Sequence, residues 1–165
     1  MELRFQVHAK IKKPVAEVFD AVYNPKKLSR YFTIAGASGP LDEGKSVMWE
    51  FSEFPGAFSV HVKRVIKNEK IVFEWENTKA SKTLRVETSF EPLDKHSTLV
   101  MIREFGWDSQ NQESLDESYH HCEGWMQMLC CLKVYVEDGK NLRDFLSSLL
   151  CTRSHLTRGG FPDLD

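Results

Sequence analysis

After Phe105 the apolar period of this chain changes for good, and that change dictates what it can fold into. Up to Phe105 apolar residues recur mostly at every second position; from Leu115 onward they recur at every third and fourth. Leu115, Tyr119, Cys122, Trp125 with Met126, Leu129, Leu132 and Val136 form one stripe of a helix of more than twenty residues. The polar stretch Asp108 to Glu113 offers capping side chains ahead of it. Asp138-Gly139 ends it, because glycine takes the left-handed conformation of a helix stop without strain.

Before the change, the chain reads as strands broken by two short helices. Leu3, Phe5, Val7, Ala9 and Ile11 alternate with Glu2, Arg4, Gln6, His8 and Lys10, the pattern of a strand with one wet face. Pro14 suits a first helical turn, and Val15, Val18, Phe19 and Val22 keep helical spacing. Asn24-Pro25 interrupts, and Lys26 to Phe32 reads as a second short helix. Gly36 to Gly44, rich in small and turn-forming residues, reads as a loop.

From Ser46 to Phe105 the pattern is a meander. Val47, Trp49 and Phe51 share one side of a strand, Glu53-Phe54-Pro55-Gly56 turns the chain, and Phe58, Val60 and Val62 continue on the next strand. A phase shift at Val65-Ile66 predicts a bulge. Ile71, Phe73 and Trp75 follow, then Leu84, Val86, Thr88 and Phe90, a turn over Pro92 to Ser97, and finally Val100, Ile102 and Glu104. Successive hairpins make an antiparallel sheet. One apolar sheet face needs a cover, and the last helix is the element long enough to supply it. The expected fold is therefore α+β: a curved antiparallel sheet wrapped around a long C-terminal helix, with two short helices after the first strand. Such a sheet closed by a helix favours a cavity between the two.

At 165 residues the chain suits a single core, assigned here to residues 1–150. Residues 151–165 lose periodicity and are expected to form a flexible tail. Twenty-two Lys and Arg against 24 Asp and Glu give a formal charge of -2, which lacks the basic excess that phosphate neutralisation requires, so no nucleic-acid partner is expected. No apolar run approaches the ~20 residues of a membrane span, and the start of the chain lacks an apolar signal segment. Cys122, Cys130, Cys131 and Cys151 form no Cys-x-x-Cys pair, and three of them fall on the long helix. They read as reduced thiols, which predicts a cytoplasmic location.

Several segments together resemble the SRPBCC superfamily of START-like helix-grip proteins, in the branch similar to the C-terminal domain of the activator of heat-shock protein ninety ATPase. Pro14 to Val22 followed by Pro25 to Phe32 resembles its helix pair, and Val65 to Trp75 its central hairpin. His121-Cys122-Glu123-Gly124-Trp125 resembles the His-x-x-Gly-Trp signature of its final helix. The resemblance spans roughly Leu3 to Val136. Three positions depart from the pattern: Tyr31 stands where Trp is usual, Gly44 is single where a pair is common, and Glu104 replaces a frequent His. The resemblance implies a hydrophobic-ligand cavity or a chaperone-binding surface, and it implies no cofactor.

Three readings of function follow. In the first, the chain is a non-enzymatic binder of a small apolar ligand, lined by Trp49, Phe58, Phe73, Phe90, Glu104, His121 and Trp125. In the second, it is a chaperone cofactor or other protein-interaction domain using the outer sheet face, where Arg85, Glu87 and Arg103 fall. In the third, it is a cyclase or hydrolase with Glu104 and His121 as acid and base, which requires both within reach of one reacting atom. Each candidate also has a purely structural reading. Trp125 can be core, and the helix-interior Gly124 can serve close packing against a strand, since it costs about 0.5–1 kcal/mol against Ala. Glu104 shares a face with Val100 and Ile102, so its carboxylate must be paired, with Arg85 or the neighbourhood of Arg103 as candidates, or else protonated. His120-His121-Cys122 lacks the i,i+4 spacing of helical metal ligands, so no metal is expected.

Overall fold

The computed structural model describes residues 3–51, 54–77 and 82–143. The expected tail over residues 151–165 lies outside the described residues, as do Phe145, Leu146 and Leu149, whose spacing after Leu142 suggests a short further helix. Seven strands form one antiparallel sheet in the order β1-β7-β6-β5-β4-β3-β2. They are β1 (Leu3–Ile11), β2 (Gly36–Ala37), β3 (Ser46–Phe51), β4 (Phe54–Ile66), β5 (Lys70–Asn77), β6 (Lys82–Asp94) and β7 (Ser97–Trp107). Two short helices, α1 (Val15–Tyr23) and α2 (Pro25–Leu28), follow β1, and the long helix α3 spans Gln112–Asp138. This is the helix-grip arrangement read from the change of period.

The inner face of the sheet is set by register. Val7 of β1 lies opposite Ile102 of β7, and Phe5 opposite Glu104. Across β6 and β5, Glu104 faces Val86, Val86 faces Phe73, and Phe73 faces Val62 of β4. Val7, Ile102, Val86, Phe73 and Val62 are all buried, and they meet Trp125, Met128, Leu129 and Leu132 of α3 in one core. Removing such side chains from water is the main force closing helix onto sheet.

Both ends of α3 are chemically marked. The Asn111 side chain accepts from Ser114 N–H at 3.1 Å, satisfying a first-turn donor. At the other end Gly139 adopts φ 69°, and its N–H bonds to the Tyr135 carbonyl. The C-terminal half is tied to β1 and its exit: Lys133 Nζ donates to the Lys10 carbonyl at 2.8 Å, and Lys12 N–H donates to Glu137 at 2.5 Å. The rings of Tyr31 and Tyr135 stack at 5.2 Å, joining the chain after α2 to α3. Among the described residues no helix is long and apolar enough to cross a membrane.

Some boundaries differ from the sequence reading. Strand β4 begins at Phe54, so the hairpin after β3 is tighter than the four-residue turn expected. The bulge lies between Val62 and Arg64, just before the predicted phase shift. The loop after α2 contributes β2, a two-residue edge strand on β3. Helix α2 ends at Leu28, and the chain continues to Phe32 in irregular turns.

Candidate functional site

The sheet–helix interior is built from aromatic rings. Trp49 on β3 lies at 5.2 Å from Phe73 and 6.2 Å from Trp75, both on β5, and at 5.5 Å from Phe32. Trp125 enters from α3 and lies at 5.4 Å from Trp75, 5.7 Å from Phe32 and 6.1 Å from Phe73. Most of these contacts are tilted or edge-to-face, the geometries that ring quadrupoles favour. Trp49, Phe73 and Trp125, three of the expected lining residues, are thus brought together. Phe58 sits at the margin of this cluster, 5.7 Å from Phe51. Phe90 points elsewhere: its ring meets Phe19 of α1 at 5.2 Å, so it belongs to the α1 side of the core.

Glu104 is fully buried on the inner face of β7, as the alternation with Val100 and Ile102 requires. Its partners are not the arginines the sequence suggested. Arg85 and Arg103 stand one residue out of phase with the inner positions, so the pleat turns them outward. Arg85 bonds Glu87 at 2.6 Å and Arg103 bonds Gln6 at 2.8 Å, on the wet face. Glu104 instead accepts from Trp75 Nε1–H at 3.0 Å and lies 3.1 Å from His121 Nδ1. A buried carboxyl group met by an indole N–H and an imidazole nitrogen offsets much of its desolvation cost through hydrogen bonds.

His121 lies between two indoles, edge-to-face to Trp75 at 5.6 Å and to Trp107 at 4.8 Å. Its side chain remains 24% exposed, so it joins the buried carboxylate to the surface. Gly106 positions Trp107: it has φ 103°, and a Cβ there would come within 2.9 Å of the Thr83 carbonyl. Only glycine lets β7 pass that close to β6. Cys122, next in the helix, feels the same carboxylate. Burial and, after it, the negative charge of Glu104 push its thiol pKa up.

Two buried side-chain donors, Trp49 Nε1 and Trp107 Nε1, have no acceptor among the described residues. Gly124 departs from the sequence reading: it is exposed, and a Cβ there would meet nothing within 4 Å, so it does not serve close packing against a strand. Trp75, Trp107, Phe32 and Phe51 complete the cluster and were not among the expected lining. Trp75 was detectable, since it continues the inward phase of Ile71 and Phe73. Trp107 was hidden because the extended phase runs through a glycine with positive φ.

A surface groove of about 600 Å³ lies between α1 and the β4–β5 turn, walled by Phe19, Tyr23 and Val65 and rimmed by Lys27 and Lys67. None of the seven expected lining residues borders it. Among the described residues no group of three or more His, Cys, Asp or Glu could hold a metal ion.

A family model described as Activator of Hsp90 ATPase homolog 1-like protein matches residues 12–137. The chain belongs to this family. Its match begins at the exit of β1 and runs almost to the end of α3, covering the elements that build the interior other than β1. The structure is similar to that of a protein from Staphylococcus saprophyticus, with 26% identity and a TM-score of 0.72 over 86% of this chain and 96% of that one. It is also similar in fold to the Aha1 dimer from Colwellia psychrerythraea, with 18% identity and a TM-score of 0.70 over 84% of this chain and 99% of that one. CalU16 from Micromonospora echinospora shares 19% identity and a TM-score of 0.65, over 84% of this chain and 78% of that one. No curated protein matches the sequence.

Proposed function

We propose that this member of the Activator of Hsp90 ATPase homolog 1-like family binds a small, mainly apolar molecule between sheet and helix, without transforming it. The observation that carries the reading is Trp49 Nε1, a donor sealed among aromatic rings with no acceptor among the described residues. A buried donor without a partner costs about 1–3 kcal/mol, and a ligand oxygen brought to it recovers that cost. Trp49, Phe73 and Trp125 supply the apolar walls and Phe58 the margin toward the β3–β4 hairpin, whereas Phe90, turned toward Phe19, is left out of the lining. Glu104 and His121 form the polar end. The two are hydrogen-bonded to each other, an arrangement that suits a fixed anchor better than an acid and a base acting across a reacting atom.

The test is a fluorescence titration with 1-anilinonaphthalene-8-sulfonate, with native mass spectrometry of the purified protein for copurified small molecules. One saturable site, weakened at least several-fold by Trp49→Phe with the melt unchanged, is expected. Absence of both saturable binding and a copurified molecule would sink the reading.

The family description also supports a protein-partner role on the outer sheet face. Arg85 and Arg103 are exposed there, beside the half-buried Glu87. A purified chaperone of the Hsp90 class that binds the wild-type chain, and loses binding on Arg85→Glu with Arg103→Glu, would favour this second reading.

A further inference from the structure

The surface groove between α1 and the β4–β5 turn is held in shape from outside. Three consecutive residues of the loop before β3 reach both of its walls. Leu41 N–H donates to the Tyr23 carbonyl at 3.2 Å, Asp42 accepts from the Tyr23 hydroxyl, and Glu43 accepts from Val65 N–H at 2.8 Å. The Phe19 ring lies nearly parallel to that of Tyr23, at 5.7 Å and 18°, and is backed edge-on by Phe90 at 5.2 Å. The groove is therefore preformed, and its volume of about 600 Å³ falls in the range of small-molecule sites. Binding against walls already in place costs little ordering. The hydrogen bond to Asp42, and burial after it, hold the Tyr23 phenol above its usual pKa. Its hydroxyl stays with Asp42, and Tyr23 has ring surface left to offer a ligand.

The charges around these walls differ in what they leave free. On α1, Asp20 is bound by Lys27 at 2.7 Å and Glu17 by Lys13 at 3.5 Å. On the opposite wall Lys67 is exposed and has no acidic partner among the described residues. Asn68 beside it, at φ 62° in the turn, has a side-chain amide with no partner among them either. We infer that this groove is a small-molecule site of its own and that it takes a flat aromatic carboxylate. The ring lies against Phe19, Tyr23 and Val65, one carboxylate oxygen meets the Lys67 ammonium, and the other accepts from the Asn68 amide. A neutral ring of the same shape keeps the walls and forfeits the charge pair. A cation of that shape meets carboxylates already paired and an ammonium that repels it. The groove is separate from the sheet–helix interior, so the inference does not depend on a ligand binding there.

The experiment titrates 2-naphthoate and 2-naphthalenemethanol into the full chain, labelled with nitrogen-15 and with carbon-13 in the valine methyl groups, and follows both by NMR. With 2-naphthoate, saturable shifts are expected at the Val65 methyls and the Asn68 side-chain amide, while the indole signals of Trp49 and Trp125 stay in place. The alcohol should bind roughly five-fold more weakly, in keeping with a charge pair open to water. Lys67→Ala should remove most of that difference and leave the affinity for the alcohol unchanged. Ala16→Trp, which adds a ring at an exposed α1 position lining the groove, should abolish the binding of both probes. Equal affinity for the two probes, or a Lys67→Ala variant that keeps the preference in full, would overturn the carboxylate. Shifts confined to the indoles, or no saturable shift at Val65, would overturn the groove as a site.

Discussion

Trp75 Nε1–H and Glu104 Oε1 meet at 3.0 Å although 29 positions separate them in the chain. They sit on β5 and β7, with β6 between, so their bond crosses an entire strand on the inner face. It ties the aromatic cluster to a carboxyl group buried within the sheet face.

Replacing that carboxylate should be costly in a graded way. Glu104→Leu leaves the part-buried Trp75 N–H and His121 Nδ1 without their partner, for an expected loss of about 1–3 kcal/mol. Glu104→Gln keeps one carbonyl oxygen and should lose less. An unpaired Glu104 would give the opposite sign, with Gln stabilising, and urea melts at neutral pH separate the two. Trp75→Phe in the Leu background removes one orphaned donor and should recover part of the loss.

Trp125 is 3% exposed and touches three aromatic rings. Trp125→Ala should cost roughly 3–5 kcal/mol, the range for a buried aromatic deleted to Ala. A melt within about 0.5 kcal/mol of wild type would place the side chain outside the core.

Gly124→Ala should stabilise the chain by about 0.5–1 kcal/mol, because Ala restricts the unfolded backbone and its methyl group meets open space. A destabilised variant would mean that something packs on that face of α3.

The thiols should differ in reactivity. Cys130 is exposed, Cys131 buried, and Cys122 is raised by burial and then by the charge on Glu104. Peptide-resolved alkylation with iodoacetamide should therefore label Cys130 ahead of Cys122 and Cys131, and Cys122 only at a pH above the ordinary thiol range. Glu104→Gln removes the charge and should move the Cys122 profile to lower pH. An unmoved profile would show that Glu104 carries no charge.

Acid should loosen the join between α3 and β1. Burial pushes the Glu137 carboxyl up, but the Lys12 N–H and the Lys133 ammonium outweigh it and hold the pKa below its usual value. A pKa lowered by folding stabilises above the unfolded value and loses that contribution as pH falls through the folded one. Glu137→Gln should cost about 1 kcal/mol at neutral pH and almost nothing once the wild-type carboxyl is protonated. Paired melts across the acid range check this, and a pH-independent difference would contradict it.

The helix-grip outline was legible because it depends on local period and punctuation. Val7 and Ile11 declare a strand face, and Asn111 and Gly139 mark the ends of α3. Burial of Glu104 was legible for the same reason. Its partners were not, because His121 and Trp75 reach it only once strand order, register and helix rotation are all set. Proximity in sequence suggested Arg85 and Arg103, and the pleat overrules proximity. Gly124 shows the converse: a glycine in a helix interior suggests a close neighbour, yet the rotation of α3 leaves it facing outward.

The place of β1 has a consequence for how the chain is made. Its pairing runs to β7 alone, from Leu3 opposite Trp107 to Ile11 opposite Thr98. On a ribosome adding about 5–20 residues each second, the first strand emerges on the order of ten seconds before its partner. Throughout that interval its apolar face and unpaired backbone are open to other chains. The β3–β6 hairpins can assemble meanwhile from short-range contacts, whereas β1 must wait for β7, and α3 follows as the last cover. Delay between first and last strands makes nascent β1 the stretch most in need of a holding chaperone.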